Sequence, residues 1–139
     1  LLYRVLRERI GAGEALRITG EVAAVAGCAF MREQLGPLDR ATLAALDERS
    51  RAAFAADKSA RFFNADVTWE SLTATSVSFT VTRCAFPPLC AATGVPELAP
   101  IFCAVDERYF ATVEPDVALT RPTTIAQGDA TCAFGLQYR

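Results

Sequence analysis

Residues 75–84 read TSVSFTVTRC and alternate between polar and apolar side chains. Successive side chains of an extended chain point to opposite faces, so Val77, Phe79 and Val81 share one face while Ser78 and Thr80 share the other. This period of two predicts a strand with one buried and one solvated face. The strand also divides the chain, because a helical pattern precedes it and further extended segments follow it.

Residues 62–70, FFNADVTWE, predict a short extended segment directly before this strand, and the sequence before residue 62 predicts helices. Residues 13–35 are rich in alanine and leucine, and their apolar members recur at steps of three and four, which is the helical period. The members of this series are Ala15, Ile18, Val22, Val25 and Ala29. We therefore expect one long helix here and a shorter helix before it.

Glycine and proline mark the predicted helix boundaries. Gly11 and Gly13 are expected to separate the first helix from the second, and Gly36 with Pro37 to end the second. Residues 38–57 predict a third helix, for which Asp39 is the expected N-terminal cap. The buried stripe of this third helix is expected to be Leu43, Leu46 and Phe54.

Short helices and extended segments follow the alternating strand. A short helix is predicted before Gly94, and a second one from Pro96 to about Val113. Two more strands are predicted in residues 116–124 and 130–139, and one face of the last carries Cys132, Phe134, Leu136 and Tyr138.

The fold class is therefore α+β: N-terminal helices packed with a small antiparallel sheet and two short helices. We expect a single domain over residues 1–139, with a helical region at 1–58 and a sheet-containing region at 59–139.

The composition excludes several classes of function. The chain has 139 residues, of which 52% are hydrophobic and 22% charged, and its net charge is −2. It contains no basic block and no apolar run as long as a membrane span, so neither nucleic acid nor a membrane is an expected partner. A small-molecule substrate is the expected partner, and the sequence leaves the oligomeric state open.

Five cysteines and the lack of histidine limit the chemistry further. An odd number of cysteines at irregular spacings predicts free thiols in the reducing cytoplasm rather than a disulfide framework. Without histidine, Ser-His-Asp catalysis, Cys-His catalysis and histidine metal ligands are excluded within this chain. Proton transfer must use other side chains or water, and no cofactor is expected. Two of the thiols are expected to pack in the core, Cys28 and Cys90.

The other three cysteines are candidate site residues. Cys103 and Asp106 lie one helical turn apart, and apolar neighbours should raise the pKa of the carboxyl so that it exchanges protons near neutral pH. Cys84 lies where a strand gives way to a helix, a position that lowers the pKa of a thiol. Cys132 faces inward on the last strand. Packing is the alternative role for each of these residues.

An ordered set of motifs resembles a known family. The set is Val81-x-Arg83-Cys84, Gly94-x-Pro96-Glu97-Leu98, Cys103-x-x-Asp106, Arg121 and Gly128-x-x-x-Cys132-x-Phe134. Through these motifs, residues 60–139 resemble the L-2-amino-thiazoline-4-carboxylic acid hydrolase family of bacteria, which opens a cyclic amidine toward a carbamoyl-cysteine. The family pattern has aspartate after the last cysteine, whereas this chain has Ala133. That departure is a reason to expect a substrate other than the family's namesake.

The resemblance implies a hydrolase that acts on the carbon–nitrogen bonds of cyclic amidines. Cys103 is then the first choice for the nucleophile that attacks the amidine carbon, and Asp106 would move protons and activate water. The other two candidate thiols, Cys84 and Cys132, would support them. A cation is expected to pair with the substrate carboxylate in a forked geometry, either Arg83 or Arg121.

Three other functions stay open at this point. The candidate thiols and Asp106 together supply three sulfurs and one oxygen, a tetrahedral set for zinc, although no Cys-x-x-Cys pair is present. The Cys-x-x-Asp motif with a distant cysteine is also similar to the catalytic trio of organomercurial lyases, in which two thiols grip mercury and the aspartate delivers a proton. The non-enzymatic alternative is a module that binds a small molecule in a cysteine-lined pocket.

Overall fold

Helices form the first half of the structure, and a sheet with two helices forms the second. The computed structural model describes residues 2–36 and 40–139. Its helices are α1 (Leu2–Ile10), α2 (Ala12–Leu35), α3 (Arg40–Ala44), α4 (Glu48–Arg61), α5 (Phe86–Ala92) and α6 (Ala99–Thr112). Its strands are β1 (Ala65–Leu72), β2 (Ser76–Cys84), β3 (Val117–Thr120) and β4 (Cys132–Tyr138). The predicted α+β class is confirmed. Within the described ranges, no helix combines the length and the apolar character needed to cross a membrane.

The four strands form one antiparallel sheet in the order β1-β2-β4-β3. The alternating strand is β2, at the centre, and its apolar face continues onto β4. Phe79 lies opposite Phe134, and their rings stack with centroids 4.7 Å apart. Val81 lies opposite Cys132. Because neighbouring antiparallel strands run in opposite directions, the end of β2 and the start of β4 lie at the same edge of the sheet.

The segment predicted as a third helix forms two helices, α3 and α4. The break comes at Asp47, whose carboxylate accepts a hydrogen bond from the Ser50 amide at 2.8 Å and caps α4. The prediction of one continuous helix is therefore wrong, and its expected cap, Asp39, lies outside the described residues. The predicted stripe does pack on the core, as Leu43, Leu46 and Phe54.

Glycines follow two of the helices, as predicted. Gly36 after α2 has φ 63° and Gly94 after α5 has φ 69°, the left-handed conformation that glycine adopts without strain. Gly11 separates α1 from α2, whereas Gly13 lies inside α2 rather than before it. Pro37, expected to help end α2, lies outside the described residues.

Helix α2 packs against α6 through small residues. Val22 and Val25 of its apolar series are 61% and 68% exposed, whereas Ala24 is buried. At Gly27 the two helices lie so close that a Cβ would meet Val105 Cγ1 at 2.6 Å. This contact fixes the position of α6, the helix that carries the candidate site residues Cys103 and Asp106.

We expect Gly27→Ala to destabilise the fold by about 1–3 kcal/mol, because the added methyl overlaps the buried side chain of Val105. Gly20→Ala in the same helix is the matched control, since a Cβ there meets nothing within 4 Å. The control should stabilise the protein by about 0.5–1 kcal/mol, because alanine favours a helix over glycine. Urea unfolding of both variants measures the difference, and equal effects would contradict the close helix contact.

Candidate active site

A cavity of about 440 Å³ is lined by the inner face of the sheet and by helices α2, α4 and α6. Its wall is mainly apolar, and the segment between α4 and β1 contributes to it. Five of the six residues that the sequence suggested for a site lie on this wall: Cys84, Cys103, Asp106, Arg121 and Cys132. The fold therefore brings together side chains that are dispersed over the second half of the chain.

These five side chains come from the ends of three strands and from one helix. Cys84 is the last residue of β2 and Cys132 is the first of β4, so both lie at the same edge of the sheet. Cys103 and Asp106 lie one turn apart on α6. Arg121 directly follows β3, the strand that pairs with β4. The site thus lies where the sheet edge meets α6.

The Arg121 guanidinium links the parts of the site. Its side chain is 6% exposed, and its terminal nitrogens donate to Asp106 Oδ2 and to Glu107 Oε1, each at 2.7 Å. Both nitrogens also donate to the Cys103 carbonyl at 3.1 Å, and the guanidinium carbon lies 5.4 Å from the centre of the Phe134 ring. Both terminal nitrogens therefore bind protein acceptors and hold Asp106 in place, whereas the buried Nε has no hydrogen-bond partner among the described residues. The expected pairing of Arg121 with a substrate carboxylate stays a prediction.

Burial raises the pKa of Asp106 from 3.8 to about 6, although the positive charge of Arg121 opposes the rise. The side chain keeps 27% of its surface exposed, and it lines the cavity. The expectation that the pKa of Asp106 is raised is therefore confirmed. A carboxyl with this pKa can accept a proton and return it near neutral pH.

Burial also raises the pKa of the Cys103 thiol, to about 11. Arg121 opposes the rise, while Asp106, Cys132 and Cys84 add to it. These mutual effects mean that the groups lie close enough for each charge to act on the others. At neutral pH the Cys103 side chain is therefore a neutral thiol.

Backbone amides donate hydrogen bonds to the other two thiols of the cavity wall, those of Cys132 and Cys84. Cys132 Sγ accepts a hydrogen bond from the Ile125 amide at 3.2 Å. For Cys84, burial raises the pKa, and a hydrogen bond from the Phe86 amide only partly opposes the rise. The predicted lowering of the Cys84 pKa at the start of a helix is therefore wrong, because loss of solvent outweighs the single amide.

Two positions noted in the sequence lie away from the cavity. Arg83 points to the other face of β2 and pairs with the Asp66 carboxylate at 2.7 and 2.9 Å, with both side chains largely exposed. The structure does not bring Arg83 into the site, although regular alternation would place it on the face of Val81. The pairing of β1 with β2 shifts by one residue between Val67↔Val81 and Asp66↔Arg83, and this bulge turns Arg83 away from the cavity. Ala133 lies between two lining residues of β4, and its side chain is on the opposite face. The residue that replaces the family's aspartate therefore does not shape this cavity.

Two charged residues, Glu107 and Lys58, lie near the site although the sequence did not predict them there. Glu107 accepts from Arg121, although its position next to Asp106 gives no sign of that partner. Lys58 lines the cavity and is 8% exposed, and its Nζ donates to the Leu35 carbonyl at 2.5 Å. Burial lowers the pKa of Lys58. A lysine in a charged, alanine-rich helix has no sequence signal of burial, so only the tertiary structure reveals it.

The cysteines of the chain form neither disulfides nor a metal-binding group among the described residues. All five cysteines are free. Cys90 is buried and Cys28 packs against the core, as predicted. Over residues 2–36 and 40–139, no three Cys, Asp or Glu side chains form a group that could hold a metal ion. The geometry therefore lends no support to the zinc alternative.

Comparison with known proteins identifies the family. The family model described as L-2-amino-thiazoline-4-carboxylic acid hydrolase matches residues 1–136. Because this match covers nearly the whole chain, the chain belongs to that family, whose name is that of a hydrolase. The resemblance drawn from residues 60–139 is confirmed and extends over the helical half. No curated protein matches the chain.

We expect the stability of the protein to fall as the pH rises through about 6, because Asp106 must ionise in the folded state at a pKa above its ordinary value of 3.8. The stability that protonated Asp106 contributes is fully present below about pH 4 and is lost above about pH 6. The change amounts to about 3 kcal/mol. Urea unfolding of the wild type and of Asp106→Asn between pH 4.5 and 7.5 measures it as a pH-dependent difference.

Asp66→Asn is the matched control for this experiment. Its hydrogen bond to Arg83 lowers the pKa of Asp66, so its titration falls below the pH range examined. The wild type and Asp66→Asn should therefore differ by a constant amount. A constant difference for Asp106→Asn as well would contradict the raised pKa of Asp106.

Proposed function

We propose that this member of the L-2-amino-thiazoline-4-carboxylic acid hydrolase family opens the ring of a cyclic amidine of the thiazoline type by hydrolysis. Cys103 is the nucleophile and Asp106 is the proton shuttle. The observation that carries the proposal is the shared cavity wall, on which three thiols, one carboxylate of raised pKa and its arginine partner lie together. Family membership supplies the class of reaction.

In the first step, the Cys103 sulfur adds to the amidine carbon of the ring. The thiol proton passes to Asp106, which is mostly ionised at neutral pH because its pKa is about 6. The same proton then goes to the leaving heteroatom of the ring, nitrogen or sulfur, as its bond to the amidine carbon breaks. The product of this step is an opened ring held as an adduct on Cys103, which is an isothiourea if the ring carbon–sulfur bond breaks and an imidodithiocarbonate if the ring carbon–nitrogen bond breaks.

The pKa values of the two groups set the cost of this step. Transfer of the Cys103 proton to Asp106 before attack costs about 7 kcal/mol, because pKa values of about 11 and about 6 differ by roughly five. An enzyme that turns over about ten times per second has a barrier of about 16 kcal/mol, so the transfer uses less than half of it. Proton transfer that accompanies carbon–sulfur bond formation lowers the cost further, because the free thiolate is then never formed.

In the second step, water adds to the carbon of the adduct. Asp106 accepts a proton from the water and returns it to the Cys103 sulfur as the bond from this sulfur to carbon breaks, while the second proton of the water passes from oxygen to the imine nitrogen and leaves a carbonyl. The atoms balance: one substrate and one water give one carbamoyl product and the free thiol. No oxidant or reductant is required.

Arg121 and Cys132 support this chemistry from the edge of the site. Arg121 keeps Asp106 on the cavity wall, and its positive charge favours the ionised carboxylate that accepts the first proton. Cys132 is the second candidate for a nucleophile, because the Ile125 amide donates to its Sγ and holds the sulfur on the cavity wall. The two assignments make different predictions for single cysteine variants.

We expect Cys103→Ser to lower kcat/KM for 2-amino-thiazoline substrates by a factor on the order of 10³ or more, because the nucleophile is lost. Asp106→Asn should lower it by roughly 10²–10⁴, the usual contribution of a general acid–base group. Ring opening is measured by mass spectrometry of the carbamoyl product. Cys28→Ser is the control, because Cys28 lies on α2 and is not part of the cavity wall.

Mass spectrometry of peptides from trapped adduct identifies the nucleophile directly. An adduct on Cys103 supports the assignment. Unchanged turnover by Cys103→Ser, with an adduct on Cys132, would transfer the nucleophilic role to Cys132. Absence of ring opening for every 2-amino-thiazoline offered to the wild type would refute the proposed function.

A further inference from the structure

We infer that the substrate carries a bulky, uncharged apolar group, aromatic or branched, attached to the reacting ring, and that the cavity binds this group. The inference rests on the proposed function, because the thiol wall is taken as the place where the ring reacts. It differs from the family's namesake substrate, which is a single small ring with a carboxylate.

The cavity wall collects the large aromatic residues of the chain. The sequence contains nine phenylalanines and one tryptophan, and all ten line this cavity, although they come from elements distributed between α2 and β4. Aromatic side chains bury large apolar areas and stack on ligand rings. The cavity volume of about 440 Å³ falls in the range of roughly 300–1,000 Å³ that accommodates drug-sized ligands. A small amino-thiazoline would leave most of this apolar surface without contact.

Aromatic residues are found both beside the thiols and at the solvent side of the cavity. Phe86 and Phe102 stack with centroids 4.2 Å apart, and Phe102 directly precedes Cys103. Phe30 and Phe63 meet edge to face at 5.8 Å and are 43% and 74% exposed, so this pair marks where the cavity meets solvent. An apolar group on the substrate therefore has aromatic contacts available from the opening to the reacting centre.

The charges on the wall disfavour a carboxylate near the reacting carbon. Arg121 already donates to Asp106 and Glu107, and Lys58 donates to the Leu35 carbonyl. A substrate carboxylate placed beside Cys103 would lie near two carboxylates, one of them poorly solvated. Arg61, the third cation of the wall, donates to the Gln34 carbonyl and to the Asp57 carboxylate. Among the described residues, the terminal nitrogens of all three wall cations thus bind protein acceptors, and an uncharged substituent suits the site better.

The test uses a neutral fluorescent probe, N-phenyl-naphthylamine, and two 2-amino-thiazolines that differ only in the substituent at ring position 4. One carries phenyl and the other carboxylate. We expect the probe to bind with increased emission, and the phenyl compound to displace it at a concentration at least about tenfold lower than the carboxylate compound does. We also expect kcat/KM for the phenyl compound to be at least about tenfold higher.

Two alanines of α2 provide matched variants. Both alanines are exposed to solvent, but only Ala26 lies on the cavity wall, whereas Ala29 is not part of it. Ala26→Asp should weaken probe binding and displacement by the phenyl compound at least about fivefold, because a charge is added to an apolar wall. Ala29→Asp should leave both unchanged. Equal effects of the two variants would overturn the assignment of the binding site to this cavity.

The results separate this inference from the proposed function. Displacement by the phenyl compound without hydrolysis of either thiazoline would support the apolar binding site and refute the reaction. Hydrolysis of the carboxylate compound at least as fast as the phenyl compound, with no probe binding, would support the reaction and overturn the inference. No probe binding and no hydrolysis would overturn both.

Discussion

The buried ion pair between Arg121 and Asp106 is the interaction on which the candidate site depends. Arg121 follows an edge strand, whereas Asp106 belongs to a helix, so this contact joins the sheet to α6. The second bond, to the Cys103 carbonyl, fixes the turn of helix that carries the thiol. A charge in this position would be costly if it were unpaired. The same pair that joins the sheet to α6 therefore also sets the charge and the orientation of Asp106, the carboxylate that we propose as the proton shuttle.

Regular patterns in the sequence predicted the parts of this arrangement that depend on local geometry. The period of two in β2 gives the buried face that holds Phe79, and the spacing of three positions from Cys103 to Asp106 places both on one side of a helix. The partners of Arg121 could not be predicted, because they depend on how β3 packs against α6. The pKa of Cys84 was predicted in the wrong direction, since a helix start is visible in the sequence whereas the degree of burial is not.

Small residues on α2 have a role that a hydrophobic pattern does not reveal. Val22 and Val25 suggested the inward face of the helix by their character, yet they are exposed, and Gly27 makes the close contact with α6. Packing against a neighbouring helix favours the residue with the least volume at the crossing point. The approach of α2 brings Phe30 to the cavity, so the glycine influences the binding wall without touching a ligand itself.

A protein whose largest apolar side chains surround an open volume is less stable than one in which they fill the space. A ligand that occupies the volume stabilises the folded state by mass action, by about 2.7 kcal/mol at a concentration one hundred times its dissociation constant. Differences of this size change the abundance of marginally stable proteins in cells several-fold, because proteases remove the unfolded fraction. A ligand that fills the hollow core would therefore extend the lifetime of the protein as well as occupy its cavity.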